Sequence, residues 1–174
     1  MTFEIKKQPE MTFLGYKKRF SGSPYDSDRI KQEENFFMTT RAKQWMLSGA
    51  SIKYTTDFCI ITNIDDGGYD FYIAYLVDEA TRKDLFDPSV SGIDFIDKMD
   101  FLSIVIPEGN YIVYKTDKSK KPISEYRTIV ESLNDKISNM KETSMRNAPH
   151  ITAYHWRCDD PEKNRYIEVL IPIQ

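Results

Sequence analysis

One glutamate near the end of the chain stands among aromatic and apolar residues in a way that could recognise a ligand. Glu168 alternates with Tyr166 and Leu170 in a strand-like run, so the three side chains share one face of that strand. A carboxylate beside aromatic rings attracts a cationic or amine-bearing aromatic molecule through charge pairing and cation–π attraction. The pattern therefore predicts a ligand-binding carboxylate, with a solvated strand residue as the alternative.

A second strand-like run, residues 150–158, places His150, Tyr154 and Trp156 on one face. Tyr154 and Trp156 either stack against a ligand or lie in the core beneath a helix, and periodicity does not distinguish the two. An earlier strand-like run, residues 69–77, is equivalent to the run that contains Glu168, and in it Tyr72 is the counterpart of that glutamate. Together these observations predict a ligand-binding set, which comprises Glu168, Tyr72, Tyr166, Tyr154, Trp156 and His150.

Catalytic and metal sites are not predicted by the sequence. His150 and His155 are five residues apart on one strand, hence on opposite faces, and cannot hold a metal ion together. Cys59 and Cys158 have no histidine or acid at a supportive spacing, which is typical of structural thiols. There is also no glycine-rich phosphate loop and no nucleophile elbow. We therefore expect no cofactor, no metal and no catalytic residue.

Charge and composition exclude several partners. The 174 residues include 24 Lys and Arg against 27 Asp and Glu, a net charge of −3, which argues against direct binding of nucleic acid. No apolar run approaches the ~20 residues of a membrane span, and the polar start does not resemble a signal peptide. With only 2 cysteines there is no disulfide framework. We expect a cytoplasmic protein without membrane contact.

The elements that must position these residues occur twice. Segments 9–17 and 107–115 align without gaps and share Pro, Glu, Tyr and Lys at equivalent positions. Each is followed by a helical pattern, from Asp26 to Leu47 in the first case and after Pro122 in the second. Two strand-like runs then follow each helix: 57–63 and 69–77, and 150–158 and 166–173.

Side-chain periodicity predicts which faces are buried. In the last strand Ile167, Val169, Ile171 and Ile173 alternate, so this face must lie under the helices. The equivalent strand of the first half buries Phe71, Ile73, Tyr75 and Val77. On the first helix, an apolar stripe that includes Trp45 predicts that this tryptophan lies in the core; the stripe comprises Met38, Ala42, Trp45 and Met46.

These patterns predict an α+β fold of duplicated β-α-β-β units related by a pseudo-twofold axis. The antiparallel sheet, or sheets, carries the helices on one side, leaves the other face uncovered and forms a ligand cleft between the halves. We expect a single domain over residues 1–174. Its first half spans about 1–77, a crossover with a possible short helix spans 78–100, and the second half spans 101–174.

Five segments of the chain occur in an order and spacing that is typical of one protein family: 5–16, 37–47, 71–75, 106–114 and 166–173. In these segments the chain resembles the gyrase-inhibitor-like (GyrI-like) effector-binding domains of AraC-type and MerR-type bacterial regulators. The resemblance implies a cleft that binds drugs or other aromatic, often cationic, molecules, and it implies ligand sensing linked to transcription in the bacterial cytoplasm. The family often carries an acidic residue in the penultimate strand, where this chain has His150 and Thr152. The family's frequent Trp-Leu-Pro ending of the second helix is replaced by residues 139–143.

The leading hypothesis is a non-catalytic module that senses or sequesters a small molecule, with any DNA-binding domain outside this chain. The first alternative is a hydrolase of cyclopropane-bearing DNA-alkylating drugs, as in some proteins similar to this family, with Glu168 as base and Tyr72 as acid. The second alternative is a gyrase-binding inhibitor. The sequence predicts neither the identity of the ligand nor the oligomeric state.

Overall fold

The structure is a computed structural model that describes residues 2–53, 56–87, 89, 99–119, 121–139, 146–156 and 164–174. Eight strands and four helices are assigned within these residues. In chain order they are β1 (Thr2–Gln8), β2 (Met11–Ser21), α1 (Asp28–Thr39), α2 (Arg41–Ser48), β3 (Thr56–Asp65), β4 (Gly68–Val77), α3 (Glu79–Phe86), β5 (Leu102–Ile106), β6 (Gly109–Lys115), α4 (Ile123–Asn139), β7 (His150–His155) and β8 (Tyr166–Ile173). Cys158 and the segment 140–145 lie outside the described residues.

All eight strands form one antiparallel sheet in the order β1-β6-β8-β7-β3-β4-β2-β5. The two halves meet at the β3–β7 seam, which pairs Thr56 with His155 at one end and Ile61 with His150 at the other. Around this seam β7 corresponds to β3, β8 to β4 and β6 to β2. The predicted edge-to-edge pairing of two equivalent units is therefore confirmed.

The outermost strands are exchanged between the halves. β1, from the first half, pairs with β6 of the second, and β5, from the second half, pairs with β2 of the first. The sequence prediction missed both strands because it began each repeat at the shared Pro-Glu. In β1 the alternation of Phe3 and Ile5 with Glu4 and Lys6 is the period-2 signal that marks a strand.

The helices cover one face of the sheet, as predicted. Ile167, Val169 and Ile171 of β8 belong to the same buried cluster as Ile129 and Leu133 of α4. The equivalent positions of β4 join this cluster: Phe71, Ile73, Tyr75 and Val77. Alternation along the last strand of each half thus identified the helix-covered face correctly.

The opposite face is not uncovered, and the sequence prediction is wrong on this point. The sheet is a curled half-barrel, and its curvature brings side chains of this face together into a second buried cluster. The cluster contains Phe13, Phe58, Ile60, Ala74, Ile106, Tyr111, Val113, Ile151, Ala153 and Leu170. Curling follows from the twist of adjacent strands and is not encoded in the periodicity of any one strand. The expected open face is therefore a second core.

The predicted first helix is broken into α1 and α2 at Thr40. The Thr40 hydroxyl donates to the carbonyl of Phe36 at 2.6 Å and accepts from the Tyr16 hydroxyl at 2.8 Å. After the break Leu47 is the buried residue of α2, whereas Trp45 is 81% exposed. The prediction that Trp45 lies in the core is wrong because the break rotates the apolar stripe out of register.

The crossover between the halves contains the short helix α3. Asp78 caps its first turn by accepting a hydrogen bond from the Thr81 amide at 2.6 Å. Residues 88 and 90–98 of the crossover lie outside the described residues. Among the helices that the structure describes, none has the length and apolar character needed to cross a membrane.

Replacing Gly15 should destabilise the sheet. A Cβ atom at Gly15 would lie 2.5 Å from the carbonyl oxygen of Ile73 and 3.0 Å from the Cβ of Ala74 on the paired strand. We expect Gly15→Ala to lower the free energy of unfolding by about 1–3 kcal/mol through overpacking. Urea denaturation measures the change. Gly49→Ala is the control, because the nearest atom there is the Met46 carbonyl oxygen at 3.8 Å. Equal stability of the two variants would contradict the close approach.

Candidate functional site: a cavity between the two halves

A cavity of about 610 Å³ lies on the helix-covered face. The first half contributes residues of α1, α2, β3 and β4 to its lining, and the second half contributes residues of α4 and β7. Six aromatic side chains contribute to its walls: Phe37, Trp45, Tyr75, Tyr126, Tyr154 and Trp156. The cavity thus lies between the halves, as the sequence predicted, but on the face that carries the helices.

Stacked rings from β7 and the residue that follows it form one wall. Tyr154 and Trp156 lie 5.3 Å apart, centroid to centroid, with an interplanar angle of 14°. The ring of Phe37 approaches Tyr154 edge-on at 5.8 Å, and Tyr126 does so at 5.7 Å. Tyr154 is therefore both a buried residue beneath the helices and part of the cavity wall. A stacking contact between Tyr154 and a ligand stays a prediction.

A buried ion pair lies beneath this wall. Arg29 and Glu33, one turn apart on α1, are 2% and 3% exposed, and the Arg29 Nε donates to Glu33 Oε1. The same guanidinium donates through Nη1 to the Pro24 carbonyl at 3.0 Å and through Nη2 to the Thr152 hydroxyl at 3.0 Å. Burial opposes the Arg29 charge, but the adjacent Glu33 carboxylate outweighs it and holds the pKa of Arg29 well above its usual value.

Two tyrosines complete the coordination of the Glu33 carboxylate. The hydroxyls of Tyr126 and Tyr154 donate to Oε2 at 2.9 and 3.0 Å, and the Tyr126 hydroxyl also accepts from Arg29 Nη2 at 2.8 Å. Burial raises the pKa of both tyrosines well above the ordinary value, so both remain neutral donors. The carboxylate is thus surrounded by donors from α1, α4 and β7.

The sequence prediction missed Arg29 and Glu33. They are four positions apart, a spacing that is common on solvated helix surfaces. The available signal was their position beside Ile30 and Phe36, both of which are buried on the same helix. Thr152 of β7 accepts a hydrogen bond from Arg29. The buried carboxylate that pairs with Arg29 belongs to α1.

The predicted ligand-binding set does not converge on one site. Tyr154 and Trp156 line the cavity, whereas His150 lines a second, smaller cavity of about 550 Å³. Tyr166 and Glu168 alternate with the helix-facing residues of β8 and so lie on the opposite face.

Tyr72 of β4 also lies on that opposite face, packed against the second core. Three strand positions separate β4 from β8, so the structure does not bring Tyr72 and Glu168 together.

Glu168 already has cationic and hydrogen-bonding partners within the protein. Its carboxylate lies 3.0 Å from His155 Nε2 and 3.4 Å from Lys115 Nζ, and Lys115 lies 4.1 Å above the Tyr166 ring. Burial raises the pKa of Glu168, but the hydrogen bond from His155 and the nearby positive charges have the larger effect. The net result is that the pKa of Glu168 is lowered to about 2. A ligand-binding role for Glu168 stays a prediction.

Within the described ranges, no group of three or more His, Cys, Asp and Glu side chains is arranged to hold a metal ion. His150 and His155 lie on opposite faces of β7, as expected, with partners on different elements: Tyr25 for His150 and Thr56 for His155. Cys59 is fully buried, and burial raises the pKa of its thiol well above the ordinary value. Such a thiol is unreactive.

No protein-family model and no curated protein matches the sequence. Solved structures do match over nearly the whole chain. A structure of SAV2435 bound to tetraphenylphosphonium is 12% identical, with a TM-score of 0.69 over 100% of this chain and 94% of that one. A putative bacterial transcription regulation protein from Staphylococcus aureus MU50 is 14% identical, with a TM-score of 0.60 over 100% of this chain and 99% of that one.

EcmrR provides a third likeness. Its C-terminal domain is 11% identical, with a TM-score of 0.51 over 99% of this chain and 97% of that domain. In the EcmrR–DNA complex the match has 15% identity and a TM-score of 0.55, over 99% of this chain and 57% of that one. At these identities the likenesses establish the fold: the chain has the fold of a GyrI-like effector-binding domain, as the sequence resemblance implied.

Replacing Arg29 should lower the free energy of unfolding far more than replacing an exposed arginine does. Arg29→Met leaves the Glu33 carboxylate buried without its cation, and we expect a loss of about 3–5 kcal/mol in the free energy of unfolding. The double variant Arg29→Met/Glu33→Leu should recover most of this loss, because no buried charge remains. Urea denaturation of both variants measures these changes.

Arg82→Met provides the matched control, since Arg82 pairs with Glu79 on the surface of α3. This variant should leave stability nearly unchanged. A double variant no more stable than Arg29→Met would contradict the charge-burial argument.

His150 should make the protein less stable in mild acid. Burial, aided by the Arg29 charge, lowers the pKa of His150 to about 4, against 6.5 in an unfolded chain. The unfolded state therefore takes up the proton first, and stability falls as the pH drops from about 6.5 to about 4, by up to about 3 kcal/mol. Urea denaturation across this pH range measures the slope. His150→Gln should flatten it, and an unchanged slope in this variant would assign the effect to other groups.

Proposed function

We propose that this protein is an effector-binding module that takes up a bulky aromatic small molecule in the cavity between its halves. The observation that carries the proposal is the cavity itself, about 610 Å³ in volume and walled by rings from both halves. Its volume falls in the range of ~300–1,000 Å³ typical of small-molecule sites. Planar rings on several sides provide stacking and edge contacts that favour an aromatic occupant.

The polar groups beneath the wall support a fixed binding geometry. Tyr126 and Tyr154 are held by Glu33, and Glu33 is held by Arg29, so these two rings cannot rotate away without breaking buried hydrogen bonds. Trp45 and Met38 line the cavity yet remain largely exposed, which places them where an incoming ligand would cover them. A preformed inner wall with an exposed outer rim favours rapid entry and tight retention.

The structural likenesses agree with this role. SAV2435 was solved with tetraphenylphosphonium, a cation that carries four phenyl rings, and EcmrR was solved in complex with DNA. By analogy we infer that ligand occupancy in this protein is linked to transcription regulation or to drug sequestration. The net charge of −3 disfavours direct contact of this chain with DNA.

Binding without turnover is the function that the buried carboxylate supports. The oxygens of Glu33 accept hydrogen bonds from Arg29, Tyr126 and Tyr154, so this carboxylate serves as an acceptor within the protein and not as a base facing a water molecule. The residues of the hydrolase alternative, Glu168 and Tyr72, lie three strand positions apart.

Tryptophan fluorescence provides the test, since both tryptophans line the cavity. We expect saturable changes in tryptophan fluorescence on titration with two probes. One is N-phenyl-1-naphthylamine, a neutral molecule with a phenyl and a naphthyl group, and the other is tetraphenylphosphonium. Phe37→Ala should weaken binding about tenfold, because truncating a buried aromatic contact costs roughly 1–3 kcal/mol. Phe3→Ala, at an exposed position on β1, is the matched control and should bind normally. Absence of saturation with both probes would overturn the proposal.

A further inference from the structure

The charge of the ligand is the property of this cavity that can be argued furthest, and the argument rests on the function proposed above. Five charged residues line the cavity: Glu33, Glu34, Asp57, Arg41 and Arg165. What matters for recognition is which of these groups already has a partner in the protein, because a satisfied buried charge gains little from a ligand and an unsatisfied one gains much.

Glu33 is the least available of the five to a ligand. It is 3% exposed, its charge is balanced by Arg29, and its two oxygens accept hydrogen bonds from Arg29, Tyr126 and Tyr154. A cationic ligand that approached Glu33 would also approach the Arg29 guanidinium, which cannot lose its proton. The buried carboxylate therefore positions the tyrosines and does not attract a cation.

The charges at the rim offset one another. Glu34 and Arg41 are both exposed, so water and salt screen their interaction with a ligand. Asp57 is already engaged in an interaction within the protein. None of these three residues gives the cavity a strong preference for either sign of charge.

Arg165 differs from the other four. Its Nε is buried and has no hydrogen-bond partner among the residues that the structure describes. The residue immediately precedes β8, where its backbone bridges to Ser119, and it alternates with Ile167 so that its side chain lies on the cavity face. Arg165 is half-buried, and a ligand in the adjacent cavity can provide the acceptor that its buried Nε–H lacks.

We infer that the ligand of this cavity is an aromatic molecule that carries an anionic group, a carboxylate or a sulfonate, which accepts a hydrogen bond from Arg165. The aromatic portion lies against Tyr154 and Trp156, and the anionic group lies at the β8 side of the cavity. Guanidinium and carboxylate or sulfonate form charge-assisted hydrogen bonds, which are about twice as strong as neutral ones. This preference is opposite in sign to the cationic ligand expected from the sequence.

A matched pair of probes tests the inference. 8-Anilinonaphthalene-1-sulfonate and N-phenyl-1-naphthylamine share one aromatic framework and differ by the sulfonate. We expect the wild-type protein to bind the sulfonate at least tenfold more tightly, a comparison that needs no variant. Arg165→Gln should reduce this preference to less than threefold while the affinity for the neutral probe is retained. Arg127→Gln, which removes the same charge at an exposed position of α4 outside the cavity lining, should keep the preference.

Tetraphenylphosphonium provides an independent test of which ligand charge, positive or negative, the cavity prefers. Because Arg165→Gln removes a positive charge from the cavity, this variant should bind the cation several-fold more tightly than the wild type does. Equal affinity of the wild type for the two naphthalene probes, or an unchanged preference in Arg165→Gln, would overturn the inference and leave the proposed function standing. Failure of both N-phenyl-1-naphthylamine and tetraphenylphosphonium to bind would instead overturn the proposed function. Circular dichroism of each variant verifies the fold.

Discussion

The salt bridge between Arg29 and Glu33 is the interaction on which the geometry of the helix-covered face depends. Two opposite charges in a buried position are tolerated only when every remaining donor and acceptor is also satisfied. Here that requirement draws in a hydroxyl from α4 and two from β7, since Tyr126, Tyr154 and Thr152 each contact the pair. The first helix, the second-half helix and the second-half strand are therefore connected across the seam by one network.

The same network borders the cavity. A pair of α-helices on an eight-stranded sheet would ordinarily close over the seam with apolar side chains. The seam beneath α1 is occupied instead by a polar cluster that fixes the tyrosine rings at set positions, and the space beside it remains open to Phe37, Trp156 and the rim. The polar cluster thus determines the shape of the site without having to touch a ligand.

The duplicated architecture could be predicted because it rests on local signals. The repeated Pro-Glu and Tyr-Lys positions, the period-2 alternation around Val169 and the helical spacing after Pro122 each act over a few residues. The first helix was predicted less well because no local pattern marks Thr40 as the site of a break. At this break Thr40 accepts a hydrogen bond from Tyr16, a residue of strand β2 that is distant in the sequence.

The site could be predicted only in part for a related reason. Tyr154 and Trp156 were identified by their alternation, but alternation gives two faces and does not say which one holds the cavity. The curvature that buries the opposite face is a property of the whole sheet, so Glu168 and Tyr72 were assigned to a surface that the fold closes. Arg165 precedes its strand by one residue, where no pattern identifies a side chain as part of a cavity.

The exchange of β1 and β5 has a consequence for how the chain reaches its native state. The outermost strand of each half of the sheet comes from the other half of the chain, so neither half of the sequence contains all the strands of its part of the sheet. Pairing Thr2 with Lys115 requires two segments that are far apart in the chain to meet, and such long loops close late and slowly. The two copies are interlocked, and separating them would leave both incomplete.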